Sequence, residues 1–571
     1  KPSKKSGAVD QRMPCEATAP HIIPYFALSE LTGDELSVRA IEDRLASIDP
    51  LNGLLECSRL NRVLSVDGYL GNPLQKEAAD LALDLHWRGK LVATYKGYDQ
   101  PPLVFHERVL RCLMLHFMTR LPAHPVPVPA QIVTTRDDAA ALALAATALN
   151  DHLGRQASLA AVGPTWQRNM GWVIREMALN VSADFQGRVG KARLLVEALT
   201  RHEFPAAEVA TVFGVDLPAY LERLLWIHTA MLAKKDNMFS TVRESQFENL
   251  AKQDAQLAVG VLRSLGAPAD QFTSSLCGDM ACYDISAFDR TPFVDLGCGQ
   301  FLLGSFGALT EHFQDGLREH VLRRVPKKAM GQIGRAWGHA MEDVLLGPFA
   351  EAVSSKGFLD VRVERSPHLD LAIAGPAGIL IFELKSPLFR RDRVEARYDE
   401  NPEPWVRTAM LGRSREEEGA IGQLRGHVER LKAGTLKVGG RAIPPTAHAH
   451  AVVVLAIPLH PAVVQRWTDE LCANRDVWPW PDVRPLCLPL QEFEALIALV
   501  DANIDPFKVV RALAAGDGSA SIQDVAAQRN AGLSPRAFRT AGQLAYEAAL
   551  KALERAKPDD SGSTETRGER G

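Results

Sequence analysis

The 571 residues contain no G-x-x-x-x-G-K-[ST] loop, so the chain carries no P-loop ATPase of its own. Cysteine is scarce and scattered. The eight residues are Cys15, Cys57, Cys112, Cys277, Cys282, Cys298, Cys472 and Cys487, with no C-x-x-C pair among them. That excludes a disulfide framework or a zinc ribbon as the organising device and points to a reducing, cytoplasmic setting. No secretory signal opens the sequence, in keeping with that expectation. The most apolar stretch, Ala139–Leu149, is alanine-rich and too short to cross a bilayer, so no membrane partner is expected. Charge of one sign is not in excess either: 65 Lys and Arg stand against 69 Asp and Glu, a formal net charge of −4. Any nucleic-acid surface must therefore be local.

What is present is an ordinary globular composition, 46% hydrophobic and 23% charged, in a chain long enough for several cores. Residues 1–20, with Lys1, Lys4 and Lys5, read as a loose polar arm. Residues 21–290 read as a helical domain. Helix-period apolar residues recur at Ala78–Trp87, Val104–Arg120, Asp137–Leu153, Trp166–Asn180, Ala192–His202 and Leu217–Lys234. This domain shows no catalytic constellation and is assigned to sensing DNA or docking a partner protein. Ala206–Ile227 within it resembles a helix-turn-helix. Its second helix has few basic or amide groups to read bases, so a plain helix pair is the better reading. Val525–Arg539 is a second, weaker match.

Residues 291–325 read as a hairpin over 293–303, turning at Gly297–Gly299, and a connecting helix from about Leu309 to Arg324. Val294–Gly299 (VDLGCG) also looks like the glycine-rich loop of Rossmann-like methyltransferases that bind S-adenosylmethionine. Phe301 stands where that loop wants a further glycine, which leaves this a minor alternative. Cys277, Cys282, Cys298 and His312 are spaced too irregularly for a zinc site, and buried thiols are the better reading. Arg318, Arg323, Arg324, Lys327, Lys328 and Arg335 form a local basic cluster. Residues 326–500 alternate helices and strands, 501–557 read as C-terminal helices, and 558–571 as a disordered tail.

The chemistry concentrates in His368–Lys385, HLDLAIAGPAGILIFELK. Two apolar runs flank Gly375-Pro376-Ala377-Gly378, which predicts a β-hairpin. With those four residues as its loop, Leu371 faces Phe382 and Asp370 faces Glu383. Opposed residues lie about 4.5–5.5 Å apart at Cα, so the two carboxylates repel unless a positive charge sits between them. Lys385 is two residues past Glu383 and shares its face. Leu371, Ile373, Leu380, Phe382 and Leu384 make one face apolar, and Ala372, Ile379 and Ile381 the other, so the sheet is expected to be covered on both sides.

Around the hairpin, Gly331–Leu346 predicts a helix with Glu342 beside its apolar stripe, and Val361–Glu364 a short strand. A polar excursion follows Lys385, with Arg390, Arg391, Arg393, Arg397 and Arg407. Glu416–Leu431 predicts a helix that places Gln423 next to its buried face, and Ala451–Ile457 a buried strand.

Helix with Glu, strand, strand with Asp, strand with E-x-K, helix with Gln, strand: this order over residues 326–495 resembles the PD-(D/E)xK phosphodiesterase superfamily of restriction-endonuclease-like nucleases. The resemblance implies a multidomain chain. A mostly α N-terminal domain precedes an α/β domain with a mixed central sheet flanked by helices, and C-terminal helices follow. It implies a Mg²⁺-dependent nuclease, with Mn²⁺ as a substitute, acting on double-stranded DNA. Asp370, Glu383 and the carbonyl of Leu384 would hold the metal, with Glu342 as a further ligand. Lys385 would orient or deprotonate water, and Gln423 would position it. Arg390, Arg391, Arg393 and Arg397 would track phosphates. Pro367 stands three residues before Asp370 rather than immediately before it. Defence, restriction or repair are the settings such an enzyme fits, as a monomer or a homo-oligomer. The alternative is a catalytically silent nuclease fold that only binds nucleic acid or protein.

Overall fold

The computed structural model describes residues 36–69, 72–82, 103–122, 134–159, 184–235, 238–274, 283–356, 360–366, 369–387, 403–412, 418–457, 461–516 and 521–555, with a few single positions between them. The expected arm at 1–20, the helix at Trp166–Asn180, the tail at 558–571 and Arg390, Arg391, Arg393 and Arg397 lie outside the described residues. No helix among the described residues is long and apolar enough to cross a membrane.

Helices α1 (Val38–Leu45), α2 (Pro50–Asp67), α3 (Pro73–Ala82), α4 (Glu107–Met118) and α5 (Arg136–Leu159) surround a first core. Its far wall comes from later in the chain, including Phe272, Phe288, Val294, Leu296 and Leu302. Next come α6 (Phe185–Leu199), α7 (Ala206–Phe213) and α8 (Leu217–Leu232). A small sheet, in the order β1-β4-β3-β2, joins β1 (Thr241–Arg243), β2 (Gly266–Pro268), β3 (Phe293–Gly297) and β4 (Gln300–Leu303). Helices α9 (Lys252–Ser264), α10 (Ala269–Thr273) and α11 (Ala287–Arg290) frame it. The hairpin expected over 293–303 is present, with Cys298 at φ 52° in its turn. The glycine-rich loop therefore joins two antiparallel strands, not a strand to a helix as a methyltransferase loop does. The flanking strands β1 and β2 were not anticipated, because three residues are too few to show a period. The expected boundary at 290/291 thus runs through one sheet.

The connecting helix is broken in two, α12 (Phe306–Glu311) and α13 (Asp315–Arg324). In the helix-turn-helix likeness the second helix is a core helix, with Leu224, Ile227 and Met231 of α8 fully covered, whereas α7 buries only Val209. The covered face of α8 is not available for reading bases.

The second half is built on a five-stranded mixed sheet in the order β11-β10-β7-β6-β5. Its strands are β5 (Arg362–Ser366), β6 (Leu369–Gly375), β7 (Gly378–Lys385), β10 (Ala449–Leu455) and β11 (Leu486–Pro489). β5, β6 and β7 form an antiparallel meander, and β10 runs parallel to both β7 and β11. A two-stranded ribbon, β8 (Lys437–Val438) with β9 (Arg441–Ala442), forms a separate sheet whose turn donates from the Gly439 amide to Glu364 of β5 at 2.9 Å. Helix α14 (Lys327–Ser355) precedes the sheet, and α15 (Glu403–Leu411) and α16 (Ala420–Lys432) follow β7. Helix α17 (Pro461–Cys472) lies between β10 and β11. Then come α18 (Leu490–Asp501), α19 (Pro506–Ala515), α20 (Ile522–Gln528) and α21 (Arg536–Arg555).

The alternation read from the sequence sorts the strands as expected. Leu371, Ile373, Leu380, Phe382 and Leu384 join the core under α14 and α18, while Ala372, Ile379 and Ile381 join the core under α16 and α17. The ring of Phe382 lies 5.4 Å from Phe349 and 5.8 Å from Phe493. Burial of Phe349 carries α14 through Gly347-Pro348, beyond the expected stop at Leu346. The turn between β6 and β7 is tighter than expected, because Gly375 pairs with Gly378 and leaves only Pro376 and Ala377 between. Gly378 has φ +130°, and a Cβ there would meet the His448 carbonyl oxygen at 2.2 Å.

Helices α6 and α8 and the C-terminal helices share a core with this sheet. Helices α6 and α21 cross backbone to backbone: a Cβ on Gly190 would stand 1.8 Å from the Phe538 carbonyl oxygen, and one on Gly542 would stand 1.9 Å from that of Gln186. Lys191 of α6 forms a buried ion pair with Glu494 of α18, Nζ to Oε1 at 2.6 Å.

Helix α18 also contributes a buried acid at the start of α20. Glu492, 3% exposed, accepts hydrogen bonds from the Ser521 hydroxyl at 2.8 Å and from the Ile522 amide. Burial pushes its carboxyl from the ordinary 4.5 up to about 7. A raised folded-state pKa favours the protonated form. This group's contribution is therefore fully present below pH 4.5 and is lost as pH rises through about 7. The melting temperature should fall between pH 5 and pH 8, and Glu492→Gln should remove about 3 kcal/mol of that decline. An unchanged slope in the variant would contradict this assignment.

Candidate active site

The β6–β7 ladder ends with Leu371 against Phe382, and Asp370 and Glu383 are the next residue beyond that last pair on each strand. Asp370 reaches across the hairpin: its Oδ2 accepts a hydrogen bond from the Leu384 amide at 2.8 Å. Glu383 is 2% exposed. Lys385 lies on the same face, with Nζ 2.7 Å from Glu383 Oε1. The same ammonium donates to Oε1 of Gln423, on α16. That helix starts hard against α15, where a Cβ on Gly419 would meet the Met410 carbonyl oxygen at 2.3 Å. This packing fixes the phase of α16, which turns Gln423 toward β7 and buries Leu424 and Val428. His427 is buried, and its Nδ1 accepts from Arg430.

Glu342 reaches the same end of the sheet from α14. Burial raises its pKa, and the charge of Asp370 raises it further; His339 and Lys385 act against the rise. Glu383 behaves alike. Burial first, then Asp370 and Glu342, push its carboxyl up to about 7 although Lys385 pulls it down. Asp370, Glu383, Lys385, Gln423 and Glu342, all singled out in the sequence, thus form one interacting group.

The structure adds a rim that the sequence did not reveal. His339, one turn before Glu342, places Nδ1 3.7 Å from Glu342 Oε2. His202, in the turn after α6, lies 5.5 Å from the His339 ring and 3.1 Å from Asp343 Oδ2. Arg201 and Arg365 approach Asp343 at 3.6 and 3.5 Å. The i, i+3 spacing of His339 and Glu342 was available as a signal. Nothing local to residues 201–202 marks their place here.

The basic run expected to act as one cluster divides. Arg318 donates to the Ser386 carbonyl at 2.9 Å and contacts its hydroxyl at 3.3 Å. Arg323 and Arg324 line a separate cavity, and Lys327, Lys328 and Arg335 are exposed on α14. Arg407 lies 3.5 Å from Glu470. Of the zinc-like set, Cys298 is exposed and His312 is buried with Nδ1 on the Ala308 carbonyl at 2.8 Å; Cys277 and Cys282 lie outside the described residues.

Among the described residues, no three His, Cys, Asp or Glu side chains are grouped to hold a metal ion. The donors at the hairpin end are a pair, Asp370 and Glu383, with the carbonyl of Leu384 next after Glu383 and with Glu342 nearby. All are oxygens, and the crowding of like charge that raises Glu383 is what a cation would relieve. Such a set suits a hard divalent ion that keeps several waters rather than a zinc ion closed by sulfur and nitrogen. The chain matches no family model, no curated protein and no solved structure.

Proposed function

We propose that the chain is a metal-dependent nuclease of the PD-(D/E)xK kind, hydrolysing phosphodiester bonds in DNA with Mg²⁺, or Mn²⁺ in its place. The observation that carries the reading is that Asp370 and Glu383 lie just beyond the last paired residues of β6 and β7, with the Lys385 ammonium on Glu383. A structural ion pair needs one carboxylate. Here Glu383 holds the ammonium while Asp370 and Glu342 act on Glu383 through their charges, at the end of a buried sheet.

Asp370, Glu383 and the Leu384 carbonyl are the groups that would hold the ion. Once bound, it supplies positive charge for the scissile phosphate and a more acidic water. Gln423 Oε1 fixes the Lys385 ammonium on the reacting face. From there Lys385 orients the attacking water and offsets charge growing on the phosphate oxygens. Glu342, its carboxyl raised by burial and by Asp370, is suited to take up a proton. Arg201, His202, His339 and Arg365 border this group and would steady the strand through its phosphates.

Incubating the full chain with linear, circular and single-stranded DNA, and with RNA, tests this. Cleavage of DNA in Mg²⁺ or Mn²⁺, abolished by a chelator, is expected. Intact substrates throughout would leave only a binding module.

A further inference from the structure

Away from the carboxylates, a cavity of about 170 Å³ opens where α11, α12 and α13 meet the end of α9. Arg290, Arg323, Arg324, His312 and His320 line it. Two acids share the wall, and both are engaged: Asp289 by Arg111 at 3.0 Å, and Glu319 by Arg323. Arg290 and Arg324 have no carboxylate partner among the described residues. The hydrogen bond of Arg290 is a long one, 3.5 Å to the Ser286 hydroxyl. Arg324 reaches the Ser264 carbonyl at 3.2 Å, donates to His320, and lies 5.4 Å over the Phe213 ring. His312 and His320 are 1% and 7% exposed and stand edge to face, 5.4 Å apart. Burial and the neighbouring Arg324 lower both pKa values, so the imidazoles are neutral and the positive charge rests on the guanidinium groups.

Guanidinium groups without counter-ions around a small cavity call for an anion rich in acceptor oxygens. The volume is about that of five or six waters, enough for a phosphate or diphosphate group. The same helix, α13, bears Arg318, whose guanidinium holds Ser386, the residue next after Lys385. We propose that this cavity binds a phosphate group and that α13 passes its occupancy to the end of β7 through the Arg318–Ser386 contact. The group belongs either to a free nucleotide-like ligand or to the terminal phosphate of a nucleic-acid strand. Binding here is independent of the nuclease reading; only its consequence for cleavage rests on that reading.

Calorimetry on the full chain with pyrophosphate should give one site. The double variant Arg290→Gln/Arg324→Gln should weaken it by at least about tenfold while keeping the wild-type melting temperature. Arg466→Gln, on α17, should bind as wild type does. A preference for a 5′-phosphorylated over a 5′-hydroxyl oligonucleotide, lost in the double variant, assigns the ligand to a strand end; no such preference assigns it to a free small molecule. In hydrogen exchange, pyrophosphate should slow exchange in 315–325 and in the segment ending at Ser386. Arg318→Met should keep the first effect and lose the second. No pyrophosphate binding, or binding untouched in the folded double variant, overturns the site. Protection of 315–325 with no change at Ser386 in the wild type overturns the coupling.

Discussion

Asp370→Asn should abolish cleavage and at the same time make the metal-free protein more stable near pH 8. Asparagine keeps an oxygen to accept from the Leu384 amide, so the hairpin contact survives. What disappears is a charge that raises the pKa of both Glu383 and Glu342. Glu383, at about 7 against an ordinary 4.5, has a raised folded-state pKa, so its contribution to stability is lost as pH rises through about 7. Removing Asp370 reduces that loss. Burial is the larger cause, so the expected gain is about 1 kcal/mol, present above pH 7 and absent below pH 4.5. Cleavage should fall by at least about a hundredfold, the scale of losing a group that acts on transition-state charge. Lys385→Ala should be equally inactive with the opposite effect on stability. It leaves Glu383 buried without its ammonium, at a cost of about 1–3 kcal/mol. Two inactive variants shifting the melting temperature in opposite directions mark a centre that sacrifices stability to hold its charges. If both simply destabilise, the acids are structural.

The largest stability effect is expected at Gly542→Ala. The added methyl would stand 1.9 Å from the Gln186 carbonyl oxygen, a backbone atom that cannot swing aside. Helices α6 and α21 must then separate, and α6 is tied to α18 by the Lys191–Glu494 pair. The cost should be about 3 kcal/mol or more, read as a lowered denaturant midpoint. Gly334→Ala on α14 is the matched control. It is also a helical glycine, but its Cβ would meet nothing within 4 Å, so alanine should stabilise by up to about 1 kcal/mol. Equal effects at the two positions would contradict the close crossing.

The parts legible in the sequence were those with local causes. The hairpin register followed from a glycine-rich turn between two alternating runs, and the two apolar faces followed from the register. Once helix phase placed Gln423 beside a buried stripe, its meeting with Lys385 needed only the order of the elements. What escaped was set by distant packing. Burial of Phe349 carries α14 past a proline that locally signals a stop. Residues 38–153 and 267–302 close one core together, and α6 meets α21 from the opposite end of the chain. Arg318, Arg323 and Arg324 look alike in sequence. Their positions on one helix send the first to Ser386 and the other two to a cavity.

The most direct measurement is cleavage of circular DNA as Mg²⁺ is titrated, wild type beside Asp370→Asn. A saturable dependence on Mg²⁺ in the wild type and none in the folded variant is the predicted result. Cleavage that needs no metal, or the same dependence in both proteins, would show that the paired acids of the hairpin are not where the reaction occurs.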